Sequence, residues 1–297
     1  MGQSLGKDSE VKEISTEEDL VFGKELGRGA VGAVREAYWK SAGLKVAVKE
    51  LSADVDHLTL QDFRQEVAVH SRVAHPNVVR VYAAGVNPPH CYLVIELCRG
   101  GSLQPILHDM TREMSWKIRV NLAIDIAKGL EYLHSNNVIH RDIKSDNILL
   151  TDQNLNKAVA KIADLGTSKI SDQKQLFMTA NVGTTQWMAP EVISGSAYSL
   201  SADMFSFGLF LWELAMRATP FDSMSLFAIP AFIEKGGRPD LPSANTCPAI
   251  FVRLMCKCWD QTASERPTAS AALRKLGVVR AELLNQSKAS LLLFDCV

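Results

Sequence analysis

The chain carries almost no excess of charge: 32 lysines and arginines stand against 33 aspartates and glutamates. Such a balance builds no field of one sign, so nucleic acid is excluded as the expected partner. No apolar run approaches the roughly 18 residues of a membrane-spanning helix. The longest, Phe205 to Met216, is interrupted by Ser206 and Glu213 and reads as a buried helix. No secretory signal opens the chain, because residues 7–19 are rich in charge and have no apolar core. The cysteines Cys91, Cys98, Cys247, Cys256, Cys258 and Cys296 contain no C-x-x-C pair. Cys256 and Cys258 are too close for an easy disulfide and lack the companions of a zinc site. Reduced thiols and a cytoplasmic location are the expectation. Internal repeats and low-complexity tracts are absent as well.

What remains is an ordinary soluble composition, 47% apolar and 22% charged over 297 residues, with enough chain for a sizeable core. From Leu20 to Leu51 apolar points such as Val34, Val46 and Val48 alternate with turn glycines, a strand-like pattern. Leu58 to Val73 reads as a helix that His75-Pro76-Asn77 ends. Val78–Val86 and Cys91–Leu97 read as strands joined by the turn Asn87-Pro88-Pro89-His90, giving a sheet of about five strands plus one helix. After Gly100-Gly101-Ser102 the character changes, with helices expected over Trp116–Leu133, Ser199–Met216 and Ile250–Trp259. The apolar stretch at the end of the chain, Leu291 to Phe294, is expected to pack as a last helix. Gly2 suits an N-myristoylation signal, although Gly6 stands where Ser or Thr is wanted. One acyl chain would give only reversible, peripheral membrane association.

Several short motifs carry chemistry. Gly27-Arg28-Gly29-Ala30-Val31-Gly32-Ala33-Val34 spaces three glycines as G-x-G-x-x-G, and the strand signal continues through Val34 and Arg35. A strand–turn–strand fits, and the strand–turn–helix of a dinucleotide fold does not. Glycines there let backbone N–H groups approach phosphate oxygens. Lys49 lies in the apolar strand Val46-Ala47-Val48-Lys49, where an unpaired ammonium is costly. Its candidate partner is Glu66, in the middle of the helix. Glu50 is nearer in sequence, but points to the other strand face.

The run His140-Arg141-Asp142-Ile143-Lys144-Ser145-Asp146-Asn147 fits H-R-D-x-x-x-x-N, Asp164-Leu165-Gly166 stands where D-F-G is expected, and Ala189-Pro190-Glu191 is A-P-E. Together these motifs resemble a protein kinase from about Val21 to Leu276. Gly183-Thr184-Thr185-Gln186-Trp187-Met188 is similar to the tyrosine-kinase-like group of Ser/Thr kinases.

The resemblance implies an α+β, bilobal kinase fold with an ATP cleft between the lobes. A disordered leader over 1–19 would precede a kinase domain over 20–280, with a β-rich N-lobe at 20–98 and an α-helical C-lobe at 99–280. A tail over 281–297 would follow. Asp142 would accept the substrate hydroxyl proton, Lys144 would neutralise a phosphate oxygen, and Lys49 paired to Glu66 would hold the α- and β-phosphates. Asn147 and Asp164 would bind Mg²⁺ or Mn²⁺, and Asp146 would be a solvated turn carboxylate. Leu26, Gly27, Gly29, Gly32, Val34, Ala47, Ile95, Glu96, Cys98 and Leu149 would surround ATP, with Ile95 as gate and backbone groups of Glu96 and Cys98 on the base.

Lys144 and Thr184 point to Ser/Thr acceptors on protein substrates. Pseudokinase scaffold, tyrosine or dual specificity, and small-molecule kinase are the competing readings. Arg141 suggests activation by phosphate on the 164–191 segment, with Thr179, Ser171 and Thr185 as acceptors. Leu165 would fill the usual Phe slot, Asp203 would accept N–H groups of the catalytic loop, and Glu191 would pair with Arg266 in the core. His70 is either a neutral core histidine or a proton switch that disengages the helix in mild acid.

Overall fold

The computed structural model describes residues 19–29, 32–51, 57–87, 90–165, 169–170, 184–196 and 199–294. Its smaller part is a sheet of β1 (Leu20–Gly29), β2 (Gly32–Trp39), β3 (Leu44–Leu51), β4 (Val81–Asn87) and β5 (His90–Glu96). These strands are antiparallel in the order β1-β2-β3-β5-β4. Alternation along β3 decides what faces the site. Val46 and Val48 pack with Leu20, Ala37, Trp39 and Val94 on one face. Ala47 and Lys49 turn to the other, which borders a cleft. On that second face helix α1 (His57–His70) inserts Phe63 among Leu51, Ala84, Cys91 and Leu93.

The larger part holds α2 (Leu103–His108), α3 (Trp116–Ser135), α4 (Pro190–Ile193), α5 (Ser201–Met216), α6 (Ile229–Glu234), α7 (Ala249–Cys258) and α8 (Ala269–Phe294). Helix α3 starts where Ser115 Oγ accepts the Ile118 N–H, a cap that contributes about 1 kcal/mol. Its buried side chains include Ile118, Leu122, Ile126 and Leu130. At Gly129 a Cβ would lie 2.8 Å from the Asn77 carbonyl oxygen, so glycine is what lets α3 approach that segment. Helix α5 is apolar nearly all round and is accordingly the centre of the core, with Phe205, Phe207, Phe210 and Leu211 fully buried. Among the described residues, no helix is long and apolar enough to cross a membrane.

The two-part α+β architecture expected from the sequence is the one observed. The helix expected over Leu58–Val73 stops at His70, where the Val73 N–H turns back onto the His70 carbonyl ahead of Pro76. Helix α8 continues unbroken past residue 280 to Phe294.

The larger part also contains strands that periodicity does not reveal: β6 (Gly101–Ser102), β7 (Val138–Ile139), β8 (Ile148–Leu150), β9 (Ala160–Ile162) and β10 (Lys169–Ile170). They form the ladders β6-β8-β9 and β10-β7. Strands β7 and β8 flank residues 140–147 and hold that run at both ends. The leader up to residue 18 and the last residues from 295 lie outside the described residues.

Candidate active site

Strand β3 and helix α1 bring Lys49 and Glu66 together. Lys49 Nζ donates to Glu66 Oε1 at 3.0 Å and Oε2 at 3.1 Å, and to Asp164 Oδ1 at 3.2 Å. Burial works against the ammonium, but Glu66 and Asp164 outweigh it and hold the Lys49 pKa above its ordinary value. Glu66 is buried, whereas Asp164 is half-exposed at 47%. Asp164 itself takes left-handed backbone, φ 59°.

The catalytic run gathers around Asp142. Its Oδ1 accepts the Thr184 N–H at 3.1 Å, and its Oδ2 accepts Asn147 Nδ2 at 2.7 Å and Lys144 Nζ at 2.9 Å. Lys144 Nζ also donates to Thr184 Oγ1. Since the Asn147 NH₂ is turned to Asp142, its carbonyl oxygen is left for a cation.

The run is anchored from below by Asp203 on α5, which accepts the His140 N–H at 2.9 Å and the Arg141 N–H at 2.7 Å and bonds His134 Nε2 at 2.8 Å. Burial alone would lift the Asp203 carboxyl. The hydrogen bond and charge of His134 and the contacts of His140 win, and hold it below the usual carboxylate range. Arg141 sits in left-handed backbone at φ 72°, a conformation that costs an L residue about 1–2 kcal/mol and that the Asp203 bond helps to hold.

A cleft of about 680 Å³ lies between the two parts. Leu26, Val34, Ala47, Ile95 and Leu149 give it apolar walls, Gly27, Glu96 and Cys98 also line it, and Lys49, Glu66, Asn147 and Asp164 form a polar end. Burial pushes the Cys98 thiol up to about 12, so it is a neutral wall group. A flat apolar ring with charged oxygens and a hard cation fits this donor set: apolar slot, then ammonium, then carboxylate and amide oxygens.

Gly32 has a packing reason to be glycine, beside the phosphate approach expected of it. A Cβ there would lie 1.9 Å from the Glu50 carbonyl oxygen, so glycine is needed for β2 to pack on β3. A Cβ at Gly27 would meet nothing within 4 Å, so no packing contact requires glycine there. Gly29 ends β1 opposite Gly32, and residues 30–31 lie outside the described residues. So do Ser171 and Thr179, whereas Thr185 opens a half-buried turn, Thr185–Trp187.

His70 is buried behind Glu66, its Nε2 4.0 Å from Glu66 Oε1 and its Nδ1 without a hydrogen-bond partner among the described residues. Burial, then the Lys49 charge, push its pKa down to about 3. That environment favours the neutral core histidine over a ring that carries charge in place. Leu165 is fully buried in the main core, so it fills its slot. Arg266 meets Glu191 through two parallel bonds, Nη1–Oε1 at 2.7 Å and Nη2–Oε2 at 2.8 Å.

Sequence reasoning missed Glu213 and Trp187. Glu213 Oε2 accepts Trp187 Nε1–H at 2.9 Å and the Ser145 N–H at 3.2 Å, and Oε1 accepts the Ser145 hydroxyl. The signal was present as two polar residues, Ser206 and Glu213, inside an apolar helix.

The comparisons agree with this geometry. Residues 20–276 match the family described as protein tyrosine and serine/threonine kinase. Serine/threonine-protein kinase STY46 of Arabidopsis thaliana is 37% identical over 266 residues, 89% of this chain and 45% of that protein. Human mitogen-activated protein kinase kinase kinase 10 is 36% identical over 278 residues, 90% of this chain and 28% of that protein. The chain spans less than half the length of these curated relatives.

Proposed function

The chain belongs to the protein tyrosine and serine/threonine kinase family, and we propose that it is a working enzyme that transfers the γ-phosphoryl of Mg–ATP to Ser or Thr hydroxyls of protein substrates. One observation carries the reading. Lys49, Glu66 and Asp164 meet at one end of the cleft, while Asp142, Lys144, Asn147 and Thr184 form a second cluster beside it.

When bound, Mg–ATP supplies the phosphoryl group and a cation that spreads the charge on its oxygens. Asn147 and Asp164 would hold the cation. Lys49, kept straight by Glu66, would face the phosphates. Leu26, Val34, Ala47 and Leu149 would sandwich the base. Its hydrogen bonds would fall to backbone groups of Glu96 and Cys98, with the Glu96 carbonyl taking part in place of its N–H, which is spent on the Arg80 carbonyl.

Asp142 would orient the substrate hydroxyl and take its proton. Three donors fix its carboxylate, so the role is aim more than strong basicity. Lys144, bonded to Asp142 and Thr184, would neutralise the phosphoryl oxygen.

Phosphate on Thr179, Ser171 or Thr185 would raise activity, and mass spectrometry after ATP incubation checks it. A cytoplasmic site follows from the thiol pattern, with peripheral membrane association if Gly2 is acylated, which N-terminal mass analysis decides. The central test is radiolabelled ATP with a degenerate Ser/Thr/Tyr peptide library. Label on Ser and Thr peptides that Asp142→Asn abolishes is expected, and an unlabelled library would defeat the proposal.

A further inference from the structure

We propose that Glu213 is a positioning residue for phosphotransfer, a buried carboxylate that ties the catalytic loop, through Ser145, to the 184–189 segment, through Trp187. The inference rests on the kinase reading above and deepens it.

Within the apolar stretch Phe205–Met216 of helix α5 stand Ser206 and Glu213, two turns apart and so on one face. Both end on Trp187. Ser206 Oγ donates to the Trp187 carbonyl at 2.7 Å, and the Trp187 indole donates to Glu213 Oε2 at 2.9 Å. The same Oε2 takes the Ser145 N–H, and Oε1 takes the Ser145 hydroxyl. Ser145 lies between Lys144 and Asn147, and Trp187 follows Thr184 by one short turn. Those three, Lys144, Asn147 and Thr184, are the groups that grip Asp142. Glu213 therefore sits behind both halves of the grip without touching it.

Three donors converge on an acceptor that has no cation of its own among the described residues. The ionisable groups of the surrounding elements are committed elsewhere: His134 to Asp203, Arg266 to Glu191, and Arg217 to the carbonyls of Leu107, Asp109 and Arg112. The 184–189 segment contains no charged residue. Asp146, on the catalytic loop, adds a repulsive charge. Burial, opposed by the Ser145 and Trp187 bonds, pushes the Glu213 carboxyl up to about 7.

A carboxyl raised in the folded state favours the fold in acid. Its contribution is full below about 4.5, the unfolded value, and is lost as pH rises through about 7. The charge thus weakens the fold at neutral pH while strengthening the three bonds, since charge-assisted hydrogen bonds are about twice as strong as neutral ones. A glutamine would keep the geometry. Its oxygen accepts the two N–H groups, its NH₂ donates to a reversed Ser145 hydroxyl, and it stands in for the protonated acid.

The test compares wild type with Glu213→Gln on one peptide substrate from pH 6 to 8. At pH 8 we expect kcat to fall about tenfold, the loss appropriate to weakened charge-assisted bonds, with KM for Mg–ATP unchanged within about twofold. The gap should narrow towards pH 6, where wild type is itself protonated. The variant should melt higher than wild type at pH 8, an outcome that a merely structural glutamate does not produce. In the wild type the Trp187 indole N–H resonance, identified by its loss in Trp187→Phe, should move between pH 6 and 8; in Glu213→Gln it should stay still.

Equal kcat at pH 8, a variant that melts lower or does not fold, or an indole resonance static in wild type would each overturn the positioning role while leaving the kinase reading intact. A wild-type chain with no phosphotransfer at all would overturn the kinase reading and this inference with it.

Discussion

Replacing His70 by leucine should stabilise the protein and remove part of its acid sensitivity. The ring is buried, and its Nδ1 has no partner among the described residues. An unsatisfied buried polar atom costs about 1–3 kcal/mol. Leucine has a similar bulk and nothing to satisfy. A gain of about 1 kcal/mol at pH 7 is expected, a rise of roughly 2–4 °C in Tm.

The pH dependence is the sharper part. His70 has its pKa lowered to about 3 in the folded chain, against about 6.5 unfolded. The unfolded chain therefore binds the extra proton first, and stability falls as pH drops below about 6.5. Between pH 7 and pH 5 this single group removes about 2 kcal/mol from the wild type and nothing from His70→Leu. Urea melts of both proteins at pH 7, 6 and 5 read the difference directly. The two curves should diverge as the buffer is acidified. Parallel curves, or a variant that is less stable at pH 7, would refute the reasoning. So would a pH–rate midpoint between 5.5 and 7 that disappears in His70→Leu, because it would show a ring that titrates in place.

Three other outcomes follow from the same geometry. Arg266→Met leaves Glu191 facing the core without its two-bond partner, and should lower stability by about 3–5 kcal/mol in a denaturant titration. An unmoved midpoint would show the pair to be inert. Asp164→Ala should abolish the tightening of a fluorescent ATP analogue by Mg²⁺ while retaining metal-free binding; equal tightening would take Asp164 out of the cation site. Thr184→Val removes the hydroxyl that Lys144 donates to, but keeps the N–H bond to Asp142. It should cut kcat about fivefold, as the loss of one hydrogen bond of about 1 kcal/mol would, with KM for ATP unchanged.

Long apolar periodicities were readable to within a residue or two. Helix α7 was expected over Ile250–Trp259 and spans Ala249–Cys258, and α5 was expected from Ser199 and begins at Ser201. Lys49 with Glu66 was legible because a lysine in an apolar strand demands a partner, whereas Arg266 with Glu191 and Asp203 under residues 140–147 were legible through the resemblance. The ladders β6-β8-β9 and β10-β7 were not, since pairings of two or three residues leave no period to detect. The packing need for glycine at position 32 was not legible either, since the contact is with a backbone carbonyl on the next strand, which only register reveals. Glu213 was seen only as an interruption of an apolar run, because Trp187 and Ser145 are distant in sequence.

The arrangement also explains how one ammonium can serve two carboxylates and then exchange one of them. Asp164 is held near Lys49 by backbone: Val79 donates to the Ile162 carbonyl at 2.8 Å, and Ile162 donates to the Asn77 carbonyl at 2.9 Å, two residues before Asp164. This strap joins the segment that leads into the sheet to β9, so it does not depend on the cleft being filled. The two ion pairs of Lys49 differ in cost. The one to buried Glu66 is worth about 3–5 kcal/mol to break by losing a partner. The one to half-exposed Asp164 lies nearer the 0–1 kcal/mol of a solvated pair. On the proposed function, entering phosphates would take the Asp164 side of the ammonium while Glu66 keeps its own. Asp164 would then hold the cation with Asn147, and the polar end of the cleft would exchange one weak contact with the buried pair left in place.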